Sequence, residues 1–231
     1  MKLFLAVFLG CCLSGLASFG QIDAETAQKH VIVKFAPLSL VDLDNAVQFG
    51  VEVPLGSTGM SLQQDLGYGP AAMNTWYSPG VDRPNKEVFK SRTQLRYYYL
   101  TRRRMKPYIA GELLLKKVIY RDNKWVEMDC DQPWGNCGYI ENTLIKTRRM
   151  VHAGHAKAGM QFYFSSRIAL DLFAGIGFRN IRVRTITDLP TNTRIPRTDR
   201  WFEYDTPNES EFLPSLAMGF HFGIILGKFD D

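Results

Sequence analysis

The residues of this chain most able to move a proton are His152, His155, Glu52 and Glu112. An imidazole beside a serine and a carboxylate makes an acyl-transfer site: the base activates the hydroxyl and the carboxylate orients the ring. Two carboxylates held around one bond can do general acid and base work. Spacing along the chain completes neither arrangement. No serine and carboxylate are visibly arranged with His152 or His155, and nothing places Glu52 and Glu112 around a substrate. The sequence therefore yields no catalytic residue, and these groups have to be understood through the elements that carry them.

Those elements are strands. From Pro214 to Lys228, Leu216, Met218, Phe220, Phe222, Ile224 and Leu226 alternate with Ser215, Ala217, Gly219, His221, Gly223 and Gly227. Successive side chains of a strand point to opposite faces, so this segment has one greasy wall and one small or polar wall. Eight segments carry such period-2 patterning: Val31–Val41, Ala46–Leu55, Ser61–Tyr68, Arg92–Leu100, Pro107–Tyr120, Met150–Phe164, Arg167–Arg184 and Pro214–Lys228. Pro37 cannot donate to a ladder, so a bulge or a late start is expected in the first.

The connections alternate in length. Asp42–Asn45 is followed by a short turn at Gly56–Met60, a long stretch at Gly69–Lys90 and a short one at Thr101–Lys106. A long stretch at Arg121–Thr147, the Ser165–Ser166 turn and a long stretch at Thr185–Leu213 complete the series. Tight turns at one end and long loops at the other are what an up-and-down barrel in an outer membrane produces. Tyr97, Tyr99, Tyr108, Phe162, Tyr163 and Phe164 gather at the short-turn end, where an interfacial aromatic girdle is expected.

Met1 and Lys2, an apolar run from Leu3 to Ala17, and the small residues Ser18 and Gly20 form a signal-peptide pattern, with residues 1–20 removed. The run is too short and too broken by glycine and serine for a membrane helix. Lipidation at Cys11 fits poorly with the Phe8-Leu9-Gly10 that precedes it. Residues 21–231 then read as one all-β domain. Removing Lys2 from the formal charge of +5 leaves +4, with acidic residues interleaved. No basic stripe of the kind nucleic acid selects is present, so no nucleic-acid partner is expected. Export leaves two cysteines, Cys130 and Cys137, around "DQPWGN" in the longest loop. In an oxidising compartment they are expected to close as a disulfide with Trp134 at the loop tip. A metal site would need more ligands, and none is expected.

The inner face collects Lys34, Gln48, Glu52, Arg92, Gln94, Arg96, Glu112, Lys116, Lys157, Gln161, Asp171 and His221. A barrel of eight strands is just wide enough for side chains to fill, so these groups must pair. The charge network is expected to centre on Lys34, Glu52, Arg96, Glu112, Lys157 and Asp171. In the last loop Arg197, Arg200 and Trp201, together with Trp134, are the contact candidates.

The signal, the alternating strands, the loop pattern and the ending "MGFHFGIILGK" resemble small outer-membrane barrels of the OmpA transmembrane-domain and OmpX type. The opening "VIVKFAPLSLVDLDNAVQFGVEVPLG" is similar to the first hairpin of outer-membrane barrel families of unknown function in the Bacteroidetes. The terminal aromatic departs from that pattern, because Asp230 and Asp231 follow Phe229. The resemblance implies an eight-stranded antiparallel transmembrane barrel with a polar, filled interior. It also implies insertion by the outer-membrane assembly machinery and contact with outer-membrane lipid and lipopolysaccharide. A monomer without cofactor, non-enzymatic and structural or surface-binding through its long loops, is the expected role. The alternatives are a lipid-modifying outer-membrane enzyme and a secreted lipocalin-like carrier. Charges on the inner faces argue against the carrier, which needs an apolar cavity.

Overall fold

A computed structural model describes residues 30–73, 85–100, 104–131, 135–195 and 210–226. The expected signal segment, Trp134, Arg197, Arg200 and Trp201 lie outside the described residues. Eight antiparallel strands follow in chain order: β1 Val31–Phe35, β2 Val47–Pro54, β3 Met60–Gly69, β4 Glu87–Tyr98, β5 Met105–Cys130, β6 Cys137–Tyr163, β7 Ile168–Thr185 and β8 Ser210–Leu226. Each pairs with its sequence neighbour, and β8 pairs with β1, closing the sheet into a barrel. Val33 opposite Ile224 and Lys34 opposite Gly223 fix that closing register. Up-and-down order follows from the short connections, since a turn of a few residues can join only antiparallel neighbours. At the β2–β3 turn, Gly56 and Gly59 hold φ of 64° and 68°, backbone that side chains disfavour.

The alternation sorts the wall as the sequence pattern requires. Phe49, Leu66, Leu95, Leu113, Ile176 and Leu216 are exposed on the outer wall, while Gln48, Glu52, Gln94, Arg96, Glu112 and Asp171 are buried inside. On β6 the outer wall is made of small residues, Gly154, Ala156 and Ala158, all exposed. Polar atoms inside and apolar atoms outside is the reverse of an ordinary water-soluble core.

Four expectations are corrected. First, β1 stops at Phe35 instead of running to Val41. Pro37 sits in the first turn of a short 3-10 helix, Pro37–Leu40, where its missing N–H costs nothing. Second, β4 begins at Glu87 rather than Arg92, because Val88 and Lys90 already point inward and are buried. Third, the expected loop Arg121–Thr147 is largely a hairpin: β5 and β6 stay paired as far as Cys130 opposite Cys137. At about 3.3 Å per residue, the ten residues past Tyr120 reach on the order of 33 Å. Val126, Met128 and Ile145 give this arm a buried apolar side of its own, against which Leu189 and Ile195 pack. The disulfide joins Cys130 to Cys137 near the arm's tip.

Fourth, two of the six aromatics expected in the girdle are missing from it. Tyr108 and Tyr163 point into the barrel and are buried, at 0% and 5% exposure, leaving Tyr97, Tyr99, Phe162 and Phe164 on the outer side or the turns. Tyr108 is drawn inward by two partners. Its hydroxyl donates to Asp171 at 2.6 Å, and its ring lies 4.4 Å beneath the Arg96 guanidinium.

Candidate functional site

The barrel interior is built in three tiers, and the sequence-expected charges divide among them. Toward the short-turn end lies a dense ion cluster. Lys34 donates to Asp171 at 2.9 Å and also pairs with Glu52. Arg96 bridges the same two carboxylates, at 2.7 Å to Asp171 and 3.4 Å to Glu52. Each of these four side chains is at most 2% exposed. Ser61 donates to Glu52 at 2.5 Å, and Gln63 donates to Asp65 at 2.7 Å. Strand register brings this about: Glu52 lies opposite Gln63 on β3, whereas Lys34 and Asp171 come from β1 and β7 and meet across the lumen. Buried charges of this kind are tolerated only when each finds partners, which is why carboxylates and cations alternate.

The middle tier holds Glu112, His155 and Lys157. His155 Nδ1 lies 3.1 Å from Glu112 Oε1, and Lys157 binds the other carboxylate oxygen. His155 Nε2 lies 3.0 Å from Ser215 Oγ. Three successive pairings carry this row: Glu112 opposite His155, His155 opposite Gly177, and Gly177 opposite Ser215. With no side chain on Gly177, the imidazole crosses β7 to reach β8. Ser215 was the residue sequence reasoning missed. Its inward parity was readable, but the register that sets it beside His155 was not. Glu52 and Glu112, considered as a carboxylate pair, have no hydrogen-bond partner in common among the described residues and sit in different tiers. His152 stands on the outer wall, exposed.

The third tier closes the end with the long connections. Residues 36–46 fold back into the mouth, tied by Ala36 N to Gln48 O at 3.1 Å and Ala46 N to Ser39 O at 2.8 Å. Asn45 passes so close over β3 that a Cβ on Gly69 would sit 2.1 Å from its carbonyl oxygen. Asp44 is the anchor: Lys116 reaches it at 2.6 Å and Arg149 touches both its oxygens at 2.7 Å. Asp42 receives Lys90 at 2.8 Å. Between the middle tier and this strap lies a cavity of about 330 Å³.

Burial pushes the Asp44 carboxyl up, but Lys116 and Arg149 outweigh it and hold it well below its ordinary value of 3.8. A carboxyl depressed in the folded state contributes stability above its unfolded pKa and loses it as pH falls toward the folded one. The strap is therefore expected to stay closed at neutral pH and to loosen below about pH 4. A spin label at Leu43, 77% exposed, should give a line shape constant between pH 5 and 7 that sharpens in acid. With Asp44→Asn the sharp line should appear at every pH, and an acid response unchanged by that substitution would refute the assignment.

Compared with known proteins, the chain matches no family model, no curated sequence and no solved structure.

Proposed function

We propose that this chain is a monomeric outer-membrane barrel of the small OmpA- and OmpX-like kind, inserted by the envelope's assembly machinery and embedded in outer-membrane lipid and lipopolysaccharide. The ion cluster serves as a filled floor, and contact with the surroundings falls to the long-connection end. One observation carries this reading above the others: the wall is apolar outside and charged inside. Soluble monomers rarely expose contiguous apolar patches beyond a few hundred Å². Here the exposed apolar side chains run from Phe49 on β2 through Leu66, Leu95 and Leu113 to Ile176 and Leu216, a belt around most of the barrel. Lipid is the solvent that suits such a belt, and closure leaves no strand edge to satisfy within it.

In this orientation the short turns face the periplasm, and the arm made of β5 and β6 projects outward with Trp125 and Ile140 exposed, at 64% and 62%. An exposed arm stiffened by a disulfide suits a surface-binding role, and the filled floor opposes passage of a large solute. A secreted carrier is disfavoured on the same ground, since its greasy face would have to line the lumen, where Lys34 and Arg96 stand.

Outer-membrane fractions of native cells should contain the protein, and the unheated sample should run faster on an SDS gel than the heated one. Recovery as a soluble periplasmic protein with no shift on heating would sink the proposal.

A further inference from the structure

The middle tier has the connectivity of a nucleophilic triad. Glu112 also receives the Lys157 ammonium, so it sits as a carboxylate and can only accept from the imidazole. His155 Nδ1 therefore carries the proton given to Glu112 at 3.1 Å, and Nε2 is left with its lone pair toward Ser215 Oγ at 3.0 Å. That is the polarity a general base requires: the carboxylate fixes the tautomer and the free nitrogen takes the hydroxyl proton. The three residues stand on β5, β6 and β8 of one closed sheet, so their spacing is set by ladder register rather than by a loop.

The same row opens onto the 330 Å³ cavity, within the size range of small-molecule sites. Phe173, Arg92, Arg179 and Lys116 line it, together with the carboxylates Asp42 and Glu112. Arg92 Nε is buried and has no hydrogen-bond partner among the described residues. An unused buried donor is costly unless something accepts from it. Lys90 and Lys116 are taken up by Asp42 and Asp44, and Glu112 by Lys157, so the Arg92 donor is what remains for an anionic or strongly polar guest. Leu38 and Val41 of the strap also border the cavity and are exposed at 40% and 55%, so it reaches solvent at the long-connection end.

We propose that Ser215, His155 and Glu112 form a serine hydrolase site for a small carboxylic ester bearing an anionic group, admitted from the long-connection end. Ser215 Oγ attacks the ester carbonyl as its proton passes to His155 Nε2. The tetrahedral intermediate collapses, the C–O bond to the alcohol breaks, and the alcohol leaves with that proton. Water then attacks the acyl-serine, again giving a proton to His155, and release of the carboxylic acid returns the proton to Ser215. Glu112 is the positioning residue throughout, and Arg92 receives the anionic part of the guest. This goes beyond the membrane-barrel reading and rests on it only for the side from which substrate comes.

The test uses the full mature chain in detergent micelles, treated with diisopropyl fluorophosphate and, separately, with p-nitrophenyl acetate. Peptide mass spectrometry should place the phosphoryl adduct on Ser215. Ser215→Ala should remove the adduct and lower p-nitrophenyl acetate turnover at least about 100-fold. Glu112→Gln should lower kcat with little change in KM, and His155→Gln should lower p-nitrophenyl acetate turnover as far as Ser215→Ala does. Failure of Ser215 to label, with turnover equal to that of Ser215→Ala, would overturn the proposal. The gel shift on heating, read on the same samples, reports the membrane-barrel reading separately, and Ser215→Ala should leave it intact.

Discussion

Asp171→Asn is expected to destabilise the barrel by about 3–5 kcal/mol, the cost of removing one partner from a buried ion pair. Asp171 is the hub of the inner cluster, taking Lys34 at 2.9 Å, Arg96 at 2.7 Å and Tyr108 at 2.6 Å. His221 Nδ1 stands 3.4 Å away. Asparagine keeps the volume but removes the charge, leaving Glu52 as the one carboxylate, among the described residues, paired with both Lys34 and Arg96. Water cannot repair the loss, since Lys34 and Arg96 are 1% and 0% exposed. The urea midpoint of the detergent-folded protein measures the effect, and the temperature at which the compact gel band disappears should fall with it. Adding Lys34→Met should recover part of the stability, because a single cation then faces a single carboxylate. Removal of an exposed carboxyl, Asp188→Asn, should change stability by no more than about 0.5 kcal/mol. An Asp171→Asn loss below about 1 kcal/mol would mean that the cluster does not hold the barrel together.

That hub shows what was legible in the sequence. The inward side of each strand followed from alternation alone, because parity is a property of a strand by itself. Lys34, Glu52, Arg96, Glu112, Lys157 and Asp171 could therefore all be placed inside before any pairing was known. Which of them meet is a property of register and stagger across several ladders, and parity is silent on both. Hence one expected network proved to be two tiers, with Lys34, Glu52, Arg96 and Asp171 in one and Glu112 with Lys157 in the other. Ser215 escaped notice for the same reason: it stood correctly on the small inner face of β8, but two ladders separate it from His155.

Strand ends were misjudged where charge or proline masked the period. Between Arg121 and Thr147, Asp122, Lys124, Glu141 and Thr143 break the apolar rhythm, because an arm beyond the barrel is wet on most of its surface. Its pairing rests on Val126, Met128 and Ile145, too few to stand out from a loop. Tyr108 and Tyr163 were assigned to a girdle by composition, although the same parity rule sets them inside. Alternation was the stronger guide, and aromatic content the weaker, because a tyrosine hydroxyl can satisfy a buried carboxylate as readily as a headgroup.

The glycines of the wall offer the sharpest test of register, through one pair with opposite outcomes. A Cβ on Gly177 would lie 1.9 Å from the Gly154 carbonyl oxygen and 2.8 Å from the Cα of His155. Those are backbone atoms held in a ladder, so neither can swing aside as a long side chain would. Gly177→Ala is expected to force β6 and β7 apart and to cost about 3 kcal/mol, the upper part of the usual overpacking range. Gly111, one residue before Glu112 and on the outer wall, would meet nothing within 4 Å. Gly111→Ala should stay within about 0.5 kcal/mol of the parent, with a small gain available from a stiffer unfolded chain. Urea unfolding of the two variants side by side measures the difference, with far-ultraviolet circular dichroism to establish that both still fold. If β6 were slipped by one residue against β7, the inward and outward positions would exchange and Gly177 would lose its crowding. Equal stability of the two alanine variants would therefore contradict the pairing of His155 with Gly177, and with it the row that joins His155 to Ser215.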